Sequence, residues 1–114
     1  MIRSGAALCL LLACGAGSSF AHAPSARECR EAGEFIYHAA QARDAGMTRE
    51  KFLGKLHEDL FAIRAFPRQL RWFAQDADDE ALLVTAAERV FDAPQSDAAH
   101  RRAFEARCTG LARR

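Results

Sequence analysis

The sequence predicts an all-α protein, a small four-helix up-down bundle whose two ends are joined by a disulfide. Apolar residues recur at the spacing of one helix face in four separate segments. The alternation of apolar and polar residues that would indicate strands does not occur. One cysteine lies near the start of the first segment and another near the end of the last.

The chain begins with the three-part pattern of a secretory signal peptide. A positively charged start contains Arg3, an apolar run covers residues 6–14, and small residues follow. The run is shorter than the roughly 20 residues that span a bilayer, and no later segment approaches that length, so we expect no transmembrane helix in the mature protein. We divide the chain into a signal peptide, residues 1–21, and a single helical domain, residues 22–114.

The mature N-terminus has three interpretations. A cut after Ala21 makes His22 the first residue, and we prefer it. A cut two residues later would place Pro24 first, whose ring and missing N–H disturb the extended peptide that a protease holds. Alternatively, residues 11–14 resemble the lipobox of bacterial lipoproteins. The protein would then be anchored to a membrane through a lipid on Cys14, instead of being periplasmic or secreted.

Composition and charge exclude several classes of protein. Hydrophobic residues make up 50% of the chain, which is typical of a folded domain and not of a disordered one. Lys and Arg total 16 against 15 Asp and Glu, and removal of Arg3 with the signal leaves equal numbers. A balanced charge provides no long-range field for nucleic acid or an anionic membrane. A mature chain of about 93 residues forms one small domain, which excludes a multi-domain enzyme.

Cys29 and Cys108 remain after the signal, and an even pair in an exported chain predicts one disulfide. The chain-entropy model assigns so long a loop roughly 4 to 5 kcal/mol. The alternative is a pair of free buried thiols. Because the bond requires Cα atoms about 4.4 to 6.8 Å apart, it favours four antiparallel helices, which bring the first start and the last end together.

The first two predicted helices have clear boundaries. Ser25 opens the first with a capping box that includes Glu28, and Gly46 ends it. Thr48 opens the second, which we expect to kink or break near Pro67 and to restart with that proline in its first turn. The apolar faces are Cys29, Gly33, Phe35, Ile36, Ala39 and Ala40 on the first helix, then Phe52, Leu53, Leu56, Leu60 and Ile63 on the second, then Phe66, Leu70 and Phe73 on the restarted piece.

Acidic residues precede the third predicted helix, and Ser96 caps the fourth. Asp76, Asp78 and Glu80 have the spacing of half a calcium loop, but Ala81 stands where that loop needs glycine, so we interpret the acids as helix caps. The apolar faces are Leu82, Leu83, Ala86, Ala87, Val90 and Phe91 on the third helix, which ends before Pro94, then Ala99, Ala103, Phe104, Cys108 and Leu111 on the fourth.

Residues 64–73 form the most informative stretch for function. If their backbone stays near helical, Arg64, Arg68 and Arg71 share a face beside Trp72. Arginine and tryptophan are the residues most enriched in protein–protein hot spots. These four residues are therefore the candidate partner-binding face, for an envelope protein or an anionic group. The alternative is an amphipathic segment with a partly buried tryptophan, whose arginines pair with the acids at 76–80.

The sequence contains no pattern typical of a metal, cofactor or catalytic site. His38, His57 and His100 form no HxxxH or HExxH pair. Ser25, Thr48 and Ser96 are assigned to helix caps, and neither a GxSxG motif nor a glycine-rich phosphate loop occurs. We therefore expect a protein that is not an enzyme and that holds no cofactor and no metal.

The structural motifs of the mature chain are Cys29, the segment Ala42-Arg43-Asp44-x-Gly46 that ends the first helix, a helix that ends shortly before Pro94, and Cys108. This pattern resembles small exported, disulfide-bonded α-helical proteins of proteobacteria, a group with no assigned function. The resemblance covers most of the mature chain. It implies a helical fold and export, and it implies no catalytic residue.

The predicted function is a non-catalytic protein-binding module of the cell envelope, a role in which a rigid bundle presents one face to a partner. One alternative is an immunity or inhibitor protein against a secreted toxin. Another is a carrier of a small ligand or metal inside the bundle. The sequence leaves the partner and the oligomeric state open.

Overall fold

The computed structural model describes residues 22–112, which form four α-helices and no strand. The helices are α1 (Ala26–Asp44), α2 (Arg49–Ile63), α3 (Ala77–Asp92) and α4 (Asp97–Ala112), with a 3₁₀ helix (Arg68–Leu70) between α2 and α3. The all-α prediction is confirmed for this range. None of these helices combines the length and the apolar character that a bilayer crossing requires. The predicted signal peptide and Cys14 lie outside the described residues.

The helix boundaries are set by the side chains that the sequence assigned to them. The Ser25 hydroxyl accepts a hydrogen bond from the Glu28 N–H at 3.1 Å, and the Glu28 carboxylate accepts from the Ser25 N–H at 2.8 Å. Thr48 caps α2, and Ser96 accepts from the first turn of α4. The chain leaves α1 through Gly46 at φ +100°, a conformation that costs glycine little.

Helices α1 and α4 pack against each other most extensively, and they run in opposite directions. The predicted disulfide is confirmed: it joins Cys29 near the start of α1 to Cys108 near the end of α4, with 5.6 Å between the Cα atoms. At the other end of the pair, the Arg43 guanidinium donates to the Gln95 carbonyl oxygen at 2.8 Å. The disulfide therefore ties together the two ends of the described domain.

The core lies between the apolar faces of the helices. Helix α3 packs against α1 and α4, and α2 packs against α3. Partly buried aromatic rings cover the side next to α2, where the Phe52 ring lies 5.8 Å from Phe35 and 5.6 Å from Phe91. The largest fully buried side chains are Phe73, Phe104, Ile36, Leu83, Val90 and the two bonded cysteines.

The predicted inward face of α4 is wrong at one position. Ala103 is exposed, and the buried residues on this helix are His100, Phe104 and Cys108. These three residues follow each other at intervals of four, so they lie on one side of the helix. Because the disulfide fixes the side on which Cys108 lies, it selects this set and turns Ala103 outward.

Candidate functional site

The segment between α2 and α3 contains every residue of the predicted partner-binding face. Helix α2 ends before Pro67 is reached, and only the short 3₁₀ helix follows. Trp72 has a φ of 57°, in the left-handed region, so an α-helix cannot continue through it. The helical restart at Pro67 is therefore wrong. Arg64, Arg68 and Arg71 do not share a helix face, and they have three different environments.

Arg71 holds this segment in its conformation. Its Nε donates to the Phe66 carbonyl oxygen at 2.8 Å, and its Nη2 donates to the Arg64 carbonyl oxygen at 3.0 Å. Its Nη1 donates to the Gln75 carbonyl oxygen at 3.3 Å. One planar guanidinium thus satisfies three carbonyl groups that lie in an irregular loop. Arg71 shapes the predicted face, and its charge is turned toward the main chain.

Arg64 and Arg68 are exposed. The Arg64 guanidinium donates to both carboxylate oxygens of Glu80, at 2.6 and 3.0 Å, while its side chain keeps 59% of its surface accessible. An ion pair so exposed contributes little to stability. No ion pair of Arg68 occurs among residues 22–112. The alternative interpretation, in which the arginines pair with the acids at 76–80, holds for Arg64.

Trp72 lies between two open clefts. Its half-buried indole packs edge-on against Phe35 at 5.8 Å and against Phe73 at 6.0 Å. The cleft on one side has a volume of about 480 Å³ and is lined by His22 and Arg68, among others. The other cleft has a volume of about 600 Å³. Its remaining lining is charged and comprises Arg27, Arg30, Glu31, Glu34 and Arg101.

Three large apolar side chains are exposed on the same stretch. Phe61 keeps 73% of its surface accessible, Leu70 keeps 65% and Phe66 keeps 49%. The sequence predicts Phe66, Leu70 and Phe73 on one inward side, but only Phe73 is buried, because the helix does not restart. Scattered exposed hydrophobic residues are ordinary, whereas a concentration of them is typical of a contact surface. We define the 61–70 surface as Phe61, Arg64, Phe66, Arg68 and Leu70.

The sequence predictions assigned no role to a polar cluster around His22. The His22 main-chain N–H donates to Asp76 Oδ2 at 3.2 Å. Its ring Nδ1 lies 2.7 Å from Asp79 Oδ2, and its Nε2 lies 3.3 Å from Glu28 Oε1. Asp79 also accepts from the Gln75 N–H at 2.9 Å. In the sequence, the Asp-x-x-Asp spacing at 76–79 indicates only helix capping, and no local pattern connects it to His22.

The two aspartates of this cluster differ in their electrostatics. Burial raises the pKa of Asp79, whose residue surface is only 4% accessible. Partial burial also opposes ionisation of Asp76, but hydrogen bonds from the main-chain N–H groups of Asp79 and His22 outweigh it and lower the pKa of Asp76. Asp76 is therefore the carboxylate whose ionised form the fold favours, and it also caps α3 by accepting from the Asp79 N–H.

The remaining histidines lie apart from one another in the fold. His38 and His57 are exposed, whereas His100 is buried. The His100 Nε2 accepts a hydrogen bond from the Gln95 N–H at 3.1 Å. Within residues 22–112, no group of three His, Cys, Asp or Glu residues is arranged to hold a metal ion.

Neither the interior of the bundle nor known proteins identify a ligand. A cavity of about 100 Å³ lies between α1, α3 and α4, lined by Ile36, Ala86, His100 and Phe104, among others. Ligand pockets usually have volumes above about 300 Å³.

No protein-family model matches the chain, and no similar curated protein or solved structure was found.

Proposed function

We propose that the protein is an exported, non-catalytic protein-binding module of the cell envelope, and that its 61–70 surface contacts the partner. The observation that carries the proposal is the exposure of Phe61, Phe66 and Leu70 on one short segment. Arg71 fixes the main chain of that segment by its three hydrogen bonds to carbonyl oxygens. An apolar surface that is already held in one conformation loses little conformational entropy on binding.

The surface fits a protein segment that carries carboxylate groups beside apolar side chains. Arg68 is exposed two positions before Leu70 and has no ion-pair partner within residues 22–112. The exposed Arg64 guanidinium is paired with Glu80, whose side chain is only 14% accessible, and a carboxylate of the bound protein can join this pair from the solvent side. Arg64 and Arg68 thus supply the charged contacts, Arg71 positions the loop, and Trp72 lies at the rim.

Export is supported by the signal pattern in the sequence and by the disulfide between Cys29 and Cys108, which is compatible with an oxidising compartment. Helices of alternating direction support an up-down bundle as the scaffold. Arg49 at the start of α2 donates to Asp92 at the end of α3, at 2.8 Å, and the Arg64–Glu80 pair joins the opposite ends of these helices. A disulfide-tied bundle presents the 61–70 surface on a rigid support.

The proposal is tested by photo-crosslinking in cells that export the protein. A photoreactive phenylalanine analogue replaces Phe61, Phe66 or Leu70 in turn, and we expect all three positions to yield the same adduct. The crosslinked peptide of the partner should contain Asp or Glu beside apolar residues. Arg68→Glu should weaken the adduct about tenfold, because it places like charges opposite each other.

The matched control is Arg102→Glu, which reverses an exposed charge on α4, outside the 61–70 surface. It should leave the adduct unchanged. The proposal is contradicted if none of the three positions yields an adduct, or if the analogue at position 102 captures the same protein equally well. Equal losses in Arg68→Glu and Arg102→Glu would also contradict it.

A further inference from the structure

The main-chain nitrogen of His22 lies in an acidic environment. It donates to Asp76 Oδ2 at 3.2 Å, while its own ring contacts Asp79 and Glu28. Within residues 22–112, no Lys or Arg forms an ion pair with Asp76 or Asp79. Three carboxyl groups thus surround one residue, and no permanent cation balances the two aspartates.

We propose that a peptidase cuts the chain between Ala21 and His22, and that the α-ammonium group created there binds the Asp76 carboxylate. Hydrolysis adds water across the peptide bond. The hydroxyl group goes to the Ala21 carbonyl carbon and a hydrogen goes to the His22 nitrogen, which takes a further proton from solvent. The inference rests on the export part of the proposed function. It adds a binding site within the fold for the new N-terminus.

The change from amide to ammonium strengthens a contact that already exists. An amide nitrogen in a peptide bond offers one hydrogen and no charge, whereas an ammonium group offers three hydrogens and a full positive charge. The present contact already has an ionised acceptor in Asp76, and an ammonium donor adds the direct attraction between two opposite full charges. Asp76 suits this role because its other oxygen, Oδ1, already accepts from the Asp79 N–H and so orients the carboxylate.

The same contact explains why a cut at this position suits the fold better than a cut two residues later. Removal of His22 with the leader would leave the Asp79 carboxyl, which is almost fully buried, without its imidazole partner. Pro24 is itself buried and leads directly into the Ser25 cap of α1. The N-terminal residue thereby joins the start of α1 to the start of α3.

The cleavage is tested by the intact mass of the protein recovered from the periplasmic, membrane and cytoplasmic fractions of an expressing bacterium. We expect the mass of a chain that begins at His22. A chain that begins at Pro24, or one that carries lipid on Cys14, would overturn this inference and leave the partner-binding proposal standing. A chain that keeps residues 1–21 and stays in the cytoplasm would overturn both.

The contact between the α-ammonium group and Asp76 is tested by thermal unfolding of the processed protein before and after acetylation of its α-amino group. Acetylation removes the charge and keeps one N–H. At neutral pH we expect it to lower the Tm of the wild type by about 4 °C. Lys51 and Lys55 are the lysines of the chain, so peptide mapping separates their modification from that of the terminus. Near pH 10, where an α-amino group has lost its proton, the difference should vanish.

Asp76→Asn is the decisive variant, because asparagine still caps a helix but carries no charge. Acetylation should change its Tm by less than about 1 °C. Asp78→Asn removes an exposed carboxylate from the same first turn, and it should respond to acetylation as the wild type does. An equal response in Asp76→Asn and the wild type, or none in the wild type, would overturn the inference.

The stabilisation by the free α-amino group depends on pH in a defined direction. The charged groups around His22 are Asp76 and Asp79 at the start of α3, Glu28 at the start of α1, and Glu31 and Arg68, which line the same cleft. Pairing with Asp76 favours the protonated amine in the folded state. The stabilisation of the fold by this pair is therefore present in neutral solution and is lost as the pH rises. The same side chains are present in the free and the acetylated protein, so the difference between the two isolates the terminus.

Discussion

At the scale of single residues, His100 shows how burial creates a dependence on pH. Its ring is 8% accessible, and its Nε2 accepts a hydrogen bond from the Gln95 N–H, which requires that nitrogen to be unprotonated. Burial, and after it the positive charge of Arg43, lowers the pKa of His100. The fold therefore holds this side chain in its neutral form.

We expect acidification from about pH 7 to about pH 5 to destabilise the protein through His100. The unfolded chain takes up a proton on this ring before the folded chain does, so the free energy of unfolding falls as the pH falls, until the folded ring is protonated too. In His100→Gln this part of the pH dependence should disappear, because the glutamine oxygen accepts from Gln95 without titrating. Urea midpoints at several pH values measure it.

His57→Gln is the matched control, since His57 is exposed. It should keep the pH dependence of the wild type. All other ionisable groups are the same in the two variants, so their contributions cancel in the comparison. Identical pH profiles for His100→Gln and the wild type would show that this ring does not set the acid sensitivity of the fold.

At the scale of elements, α1 and α4 pack closely at Gly33. A Cβ atom on this residue would lie 2.6 Å from the Glu105 side chain, which is itself hydrogen-bonded to Arg101 at 3.2 Å. Gly54 offers the contrast, because it lies in the middle of α2 and a Cβ atom there would meet nothing within 4 Å. Both are helical glycines, so replacement by alanine gains the same helix propensity.

We expect Gly54→Ala to stabilise the protein by about 0.5 to 1 kcal/mol, because alanine loses less backbone entropy than glycine in a helix. Gly33→Ala gains the same amount but must displace Glu105 from its contact with Arg101. Its free energy of unfolding should therefore be lower than that of Gly54→Ala by about 1 kcal/mol. Urea unfolding of both variants tests the difference, and equal stabilities would disprove the close packing at Gly33.

The elements also show which parts of the fold a sequence pattern can predict. Ser25, Thr48 and Gly46 act within one helical turn of the chain, so their roles can be derived from the order of residues alone. The left-handed conformation of Trp72 depends on its packing against Phe35 and Phe73, and the hydrogen bonds of Arg71 depend on a loop already folded. Such contacts leave no periodic pattern in the sequence.

The candidate site was therefore predicted only in part. The stretch and its four residues were chosen because arginine and tryptophan favour interfaces, and that choice remains a prediction. The exposed apolar residues were missed because Phe66 and Leu70 have the spacing of an inward helix face. Since α2 ends before Pro67 and no α-helix continues through these residues, both side chains are exposed instead. The His22 cluster was missed because its two aspartates lie more than fifty positions away from His22.

At the scale of the whole molecule, stability depends on the bond between Cys29 and Cys108. A small domain has a total stability of about 5 to 15 kcal/mol, and a disulfide that closes so long a loop contributes roughly 4 to 5 kcal/mol. We expect the double variant Cys29→Ala/Cys108→Ala to lose about that amount, which would leave it only marginally folded. Urea unfolding of the variant and the oxidised wild type measures the loss.

Reduction of the wild type with a mild thiol supplies the control, because it breaks the same bond without changing the side-chain volume. It should lower the urea midpoint nearly as far as the double variant does. If both forms unfold at the midpoint of the oxidised protein, the crosslink does not constrain the unfolded chain and the entropic argument is wrong.

The disulfide also makes the chain a covalent ring from Cys29 to Cys108. The loop between α2 and α3 is one exposed part of that ring, and proteases cut preferentially in exposed loops. A single cut there would open the ring without releasing a fragment, since both pieces remain joined through sulfur. A protein built this way can be nicked in that loop and still stay in one piece.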